Sequence, residues 1–217
     1  MKSYRLIVFD LDGTLTEPSR GLLHSYAYAL ERMGVDPGPR EDLLRFIGPP
    51  LFDEWQRVYG FTPAEAKQAL NYFTEYFQPY GWCENDLYPG IPRMLADLRA
   101  AGKKIALATS KPENFARQIL QLFGIDGCFD KIGGALSDTR RDKKWEVLDY
   151  VLDSFPDIPR TDCLMVGDRM YDAEGAGKCG IDSLGVLWGH GSEEELSHAG
   201  FTALVRRVED VVPLLTE

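Results

Sequence analysis

The chain has 217 residues, 44% of them hydrophobic and 27% charged, with a mean hydropathy of -0.25. That length holds one sizeable core plus an appendage, and the apolar content excludes disorder, while 21 Gly and 13 Pro are too few for a collagenous or low-complexity chain. With 24 Lys+Arg against 34 Asp+Glu the net charge is -10, and no basic run offsets it, so a nucleic-acid partner is not expected.

The first element is Tyr4 to Phe9, a short β-branched and apolar run that predicts a buried strand. No signal-peptide core precedes it, and apolar runs such as Leu6 to Phe9 fall far short of the roughly 20 residues that span a bilayer. Cys83, Cys128, Cys163 and Cys179 are scattered without Cys-x-x-Cys spacing, which predicts neither a zinc site nor a disulfide framework. No membrane partner and a cytoplasmic location are the expectations.

From Pro18 to about Gln78 the spacing turns helical. Leu22, Leu23, Tyr26 and Leu30 share a face, as do Leu51, Trp55 and Val58. Thr62-Pro63-Ala64-Glu65 predicts a helix start that Tyr72, Phe73, Tyr76 and Phe77 continue. No strand pattern interrupts this stretch, which predicts a helical insertion at residues 17–84 within an α/β core formed by residues 1–16 and 85–217.

Beyond Tyr88-Pro89-Gly90, strands and helices alternate. Helices are expected at Ile91–Ala101, Pro112–Phe123, Lys143–Leu152 and Met170–Lys178. Strands are expected at Lys104–Ala108, Asp130–Ile132, Cys163–Val166 and Ser183–Leu187. This alternation predicts a doubly wound parallel sheet, in which ligands sit outside the carboxyl ends of the strands. The segments following those ends are Asp10-Leu11-Asp12-Gly13-Thr14, Thr109-Ser110-Lys111 and Gly167-Asp168, with Lys143 and Lys144 placed to join them.

Gathered carboxylates at Asp10, Asp12 and Asp168 repel one another unless a divalent cation offsets the charge, and an all-oxygen set favours Mg²⁺ over zinc. An EF-hand loop starting at Asp10 fails, because Leu15 and Gly21 fall where Gly and Glu are required.

These residues resemble the motifs of the haloacid dehalogenase-like hydrolases. Asp10-Leu11-Asp12-Gly13-Thr14-Leu15 is similar to the first motif and Thr109 to the second. Lys144 is similar to the third, and Gly167-Asp168-Arg169-Met170-Tyr171-Asp172 to the fourth. All four occur in order, and the insertion after the first resembles the small helical cap of the phosphoglycolate phosphatase-like branch. The resemblance implies a Rossmann-like core and Mg²⁺-dependent hydrolysis of a small phosphorylated metabolite, with phosphoglycolate-like esters first and nucleoside monophosphates as the alternative. It implies Asp10 as a nucleophile forming an aspartyl-phosphate and Asp12 as the acid that becomes the base. It further implies a metal held by Asp10, the Asp12 carbonyl and Asp168, with Thr109, Ser110 and Lys144 on the phosphate. Asp172 would support Lys144 or the metal. Spacing to the following apolar residues selects Lys144 over Lys143. In the insertion, Phe46-Ile47-Gly48-Pro49-Pro50 resembles a cap loop facing the active site, which makes Gly48 and the neighbouring Arg45 candidates for substrate contact.

Competing readings are weaker. Gly175-Ala176-Gly177-Lys178-Cys179-Gly180 matches a dinucleotide fingerprint but lies too far behind its strand, and no P-loop run exists. Lys67, the only lysine of the insertion, sits on a helix face and is poorly suited to a phosphonate-hydrolase Schiff base. His24, His190 and His198 show no ligand spacing, and Lys111 and Lys143 read as surface lysines. A phospho-accepting receiver module also uses Asp, Thr/Ser and Lys without turnover; the insertion and the second carboxylate at Asp12 count against it.

Overall fold

A computed structural model describes residues 2–47, 51–136, 141 and 143–216. In chain order it contains β1 (Leu6–Phe9), β2 (Thr16–Glu17), α1 (Ser19–Arg32), α2 (Arg40–Leu43), α3 (Leu51–Tyr59), α4 (Pro63–Tyr76) and β3 (Asp86–Leu87). There follow α5 (Ile91–Ala100), β4 (Lys104–Pro112), α6 (Glu113–Leu122), β5 (Lys131–Ala135), α7 (Lys144–Leu152) and β6 (Cys163–Gly167). The chain continues with α8 (Met170–Cys179), β7 (Asp182–Val186), α9 (Glu193–His198), β8 (Ala203–Val205) and α10 (Val211–Thr216). It divides into two compact units, Met1–Glu17 with Leu87–Glu217, and Pro18–Asp86.

The first unit is built on a parallel sheet in the order β5-β4-β1-β6-β7-β8. This is the doubly wound order in which the chain starts at the centre, runs to one edge and then returns past β1 to the other. Every residue of β1 is buried, as a strand covered on both faces requires. Leu6 and Val8 pack with Ala106, Met165, Val147, Leu148, Val151 and Ala176, which places α7 and α8 against that face. Ile7 and Phe9, on the other side of the pleat, are equally buried. β8, three residues at a sheet edge, carries too little periodicity to show in the sequence.

The helical unit has its own core. Leu23, Tyr26, Leu30, Leu43, Phe46, Ile47, Trp55 and Ala69 are buried together. Tyr26 stacks on Phe73 and meets Phe46 edge-on at centroid distances of 5.5 and 5.8 Å. The predicted α4 start is a full capping box: Glu65 N–H donates to Thr62 Oγ1, and Thr62 N–H donates to Glu65 Oε2 at 2.8 Å. Trp55 and Phe77 are thus core residues, as their helical spacing predicts.

Candidate active site

Parallel register carries three strand ends to one edge. Phe9 lies opposite Leu107 of β4 on one side and Val166 of β6 on the other. One step further, Asp10 N–H donates to Val166 O at 2.9 Å, so Asp10, Thr109 and Asp168 emerge next to one another from neighbouring strands. β1 and β6 also flank the point where the strand order reverses, the ligand crevice of such sheets.

Lys144, the first residue of α7, is buried and reaches into this edge. Its Nζ lies 2.8 Å from Asp10 Oδ1 and 2.8 Å from Asp172 Oδ1, and it donates to Ala108 O at 3.2 Å. Lys143 is exposed at the helix start, so the choice between the adjacent lysines falls to Lys144. Asp172 stands in the first turn of α8, where its Oδ2 accepts Arg169 N–H at 3.1 Å. Asp168 accepts the His190 N–H at 2.8 Å and the Thr14 hydroxyl at 3.3 Å.

Asp10, Asp168 and Asp172 are all buried and each offers an oxygen within 4.8 Å of the others. Burial pushes the Asp168 carboxyl up to about 8, and Asp172 and Asp10 add to the rise. Burial likewise raises Asp172, against the pull of Lys144. Burial by itself lowers the Lys144 ammonium, but Asp10 and Asp172 outweigh it and hold that group above the usual lysine range. One lysine facing three buried carboxylates leaves excess negative charge among oxygen donors, which fits a hard divalent cation.

The structure corrects one reading and leaves others apart. Lys111 is no surface lysine: it is buried, and its Nζ lies 2.5 Å from Asp12 Oδ2. The signal was present in the alternation after β4 begins, with Thr109 buried, Ser110 exposed and Lys111 buried again. The Asp12 carboxylate accordingly stands outside the Asp10–Asp168–Asp172 group. Ser110 is exposed and separated from the buried pair on either side of it. His190 packs beside the site: its backbone N–H holds Asp168, and burial lowers its ring pKa. In the helical unit Arg45 is exposed, with its guanidinium 5.2 Å from the Phe46 ring centroid. Gly48, Pro49 and Pro50 lie outside the described residues.

Residues 7–186 match the family described as haloacid dehalogenase-like hydrolase. The chain belongs to that family. Among relatives of this hydrolase, a 5'-nucleotidase of Pseudomonas aeruginosa is 43% identical over 193 residues, covering 89% of this chain and 87% of the relative. The tyrosine-protein kinase PtkA of Mycobacterium tuberculosis is 40% identical over 204 residues, covering 94% of this chain and 69% of the kinase. A phosphoglycolate phosphatase of Vibrio cholerae is 30% identical over 210 residues, covering 92% and 91%. A 1.7 Å crystal structure from Clostridium difficile superposes with a TM-score of 0.92 at 43% identity, covering 99% of this chain and 100% of that one. Family membership and phosphatase-named relatives make this haloacid dehalogenase-like chain a phosphoric monoester hydrolase.

Gly13 shows how tightly the hydrolase's site is wound. It has φ +81°, and a Cβ there would lie 2.1 Å from Asp168 Oδ2. Gly13→Ala is expected to cost at least about 2 kcal/mol in urea unfolding, from left-handed strain plus the displaced carboxylate. An unchanged midpoint would show that the turn relaxes freely.

Proposed function

We propose that this hydrolase is a Mg²⁺-dependent phosphatase acting on small phosphate monoesters through an aspartyl-phosphate on Asp10. The observation that carries the reading is Lys144 set between Asp10 and Asp172, beside Asp168, at the carboxyl ends of β4, β1 and β6. Phosphoryl transfer is catalysed mostly by positioning and charge neutralisation, and these residues supply both. Asp10 attacks phosphorus while Lys144 offsets the charge it shares with the phosphate, and Thr109 donates its hydroxyl to a phosphoryl oxygen. Asp12 gives a proton to the leaving oxygen and then takes one from the hydrolytic water. Asp10, Asp168 and the Asp12 carbonyl would hold the cation, with Asp172 at hand. When bound, Mg²⁺ supplies Lewis-acid neutralisation of the phosphoryl oxygens.

Two leaving groups are favoured, a phosphoglycolate-like organic acid and a nucleoside; the 43% identical 5'-nucleotidase supports the second. Arg45 and Gly48 of the helical unit are the proposed determinants of that choice. The unpaired, scattered cysteines support a reducing, cytoplasmic setting. A panel of phosphoglycolate, sugar phosphates and nucleoside monophosphates, with orthophosphate release measured over many turnovers, tests the assignment. Stoichiometric self-phosphorylation without release would instead indicate a receiver-like module. ATP-dependent labelling of protein tyrosine would favour the activity named for the mycobacterial relative.

The metal has a test that does not need turnover. Saturation at about 100 times the dissociation constant adds about 2.7 kcal/mol, which raises the melting temperature of a chain this size by about 5–10 °C. Asp168→Asn is expected to abolish that shift. The pH dependence has a defined sign. A carboxyl raised to about 8 binds more protons in the folded state than in the unfolded one, so metal-free stability falls as pH rises from the ordinary Asp range toward 8. Melting in EDTA should therefore occur at lower temperature at pH 8 than at pH 6, with a larger Mg²⁺ shift at pH 8. A shift that is absent, or equal in Asp168→Asn, would remove the cation from this position.

A further inference from the structure

We propose that Lys111 is a positioning residue that fixes the Asp12 carboxylate for proton transfer, an inference that rests on the phosphatase reading above. β4 does not stop at Ala108 but runs on to Pro112, with its register against β5 shifted between those two residues. Ala108 pairs with Gly133 and Pro112 with Ala135, so three intervening residues of β4 face one of β5. Irregularities of this kind re-aim side chains at sheet rims. Here the irregular segment is Thr109-Ser110-Lys111, and the Lys111 N–H donates to Thr109 Oγ1 at 3.2 Å. The one backbone excursion therefore sets both a proposed phosphate donor and the lysine.

The lysine side chain is only 6% exposed, whereas that of Asp12 is 24% exposed. The buried partner is fixed and the more exposed one is held by it. Lys111 Nζ lies 2.5 Å from Asp12 Oδ2, while among the described residues the other oxygen, Oδ1, has only the Thr16 hydroxyl at 3.5 Å, beyond the range of a good O–H···O bond. With Oδ2 accepting from the ammonium, Oδ1 is the oxygen left for the proton transfer. Without Lys111 the Asp12 side chain is free to rotate, and a misplacement of about 1 Å in a catalytic group costs on the order of 100-fold.

The chemistry balances around that oxygen. In the first step an Asp10 oxygen forms a bond to phosphorus, the bond from phosphorus to the ester oxygen breaks, and that oxygen leaves as an alcohol with the proton from Asp12 Oδ1. In the second step water passes a proton back to Asp12, its oxygen bonds to phosphorus, the bond to Asp10 breaks, and orthophosphate departs. The acid matters most where the leaving oxygen is strongly basic.

The test is Lys111→Met, Asp12→Asn and the double variant, each assayed as kcat/KM on an unactivated alkyl phosphate and on p-nitrophenyl phosphate, whose leaving group departs with little protonation. Because kcat/KM stops at the first irreversible step, it isolates phosphoryl transfer to Asp10. Lys111→Met is expected to lose about 100-fold on the alkyl ester and less than about fivefold on the aryl ester, within the range of general acid catalysis. A burst of p-nitrophenol should precede slow turnover, since hydrolysis of the intermediate also needs Asp12. Adding Lys111→Met to Asp12→Asn should cost nothing further on either ester, because the lysine acts through the carboxylate. Equal losses on both esters, or a double variant well below Asp12→Asn, would overturn the proposal and make Lys111 a phosphate or folding residue. The double variant removes both charges of the pair, so this comparison stands if Lys111→Met alone is unstable. Failure of the phosphatase reading would look different: Asp10→Asn would keep its turnover.

Discussion

Asp10→Asn is expected to lower kcat by at least about 10⁴-fold, because it removes the proposed nucleophile while keeping the side chain's shape. The loss should come without unfolding. In the metal-free protein Asp10 is one of three buried carboxylates facing each other, and Lys144 retains its 2.8 Å contact with Asp172 when residue 10 is neutral. Removing one negative charge relieves repulsion, so the melting temperature in EDTA should equal or exceed that of the native chain. In Mg²⁺ the order reverses, since the variant loses a ligand and with it part of the cation's stabilisation. Steady-state phosphate release and melting curves in EDTA and Mg²⁺ check both halves. Turnover within tenfold of the native rate would remove Asp10 from the chemistry.

Lys144→Met is expected to damage folding and turnover together. The side chain is 7% exposed and holds two buried carboxylates, so its loss strands charge in a low-dielectric interior. Breaking such a buried pair from one side costs about 3–5 kcal/mol, measurable as a lowered urea midpoint in EDTA. Adding Asp172→Asn to Lys144→Met should recover part of that loss, because the second change removes one stranded charge. Turnover should fall by about 10²–10³-fold, the usual cost of one preorganised group opposite developing charge. A midpoint unchanged by Lys144→Met would mean that the carboxylates are already neutral or solvated, and the ion-pair account of the site would fail.

Much of the site was legible because strand periodicity is a local rule and parallel pairing a repetitive one. A β-branched apolar run such as Leu6-Ile7-Val8-Phe9 reads as a buried strand, and whatever follows it in a parallel sheet meets the residues that follow its neighbours. Asp10, Thr109 and Asp168 were placed together on that basis, and Lys144 was separated from Lys143 by the apolar spacing of α7. A lysine behind a strand is ordinarily solvated, and only the extension of β4 past Ala108 returns Lys111 to the interior. The role of His190 was invisible for a different reason. Its backbone N–H, not its ring, holds Asp168, and a backbone donor carries no sequence signature.

The order of strands and helices, the helical stretch within the α/β chain and the set of acidic and basic residues at the strand ends follow from the sequence, since each depends on residues close together in the chain. Which charges neutralise one another depends on burial and on side chains that meet across 99 residues for Lys111 and Asp12. Lys144 and Asp10, far apart along the chain, meet only in the folded sheet. Tertiary packing alone decided that Lys144 serves Asp10 and Asp172 while Lys111 serves Asp12, because Coulomb energies vary with distance and desolvation, and neither is written in the order of residues.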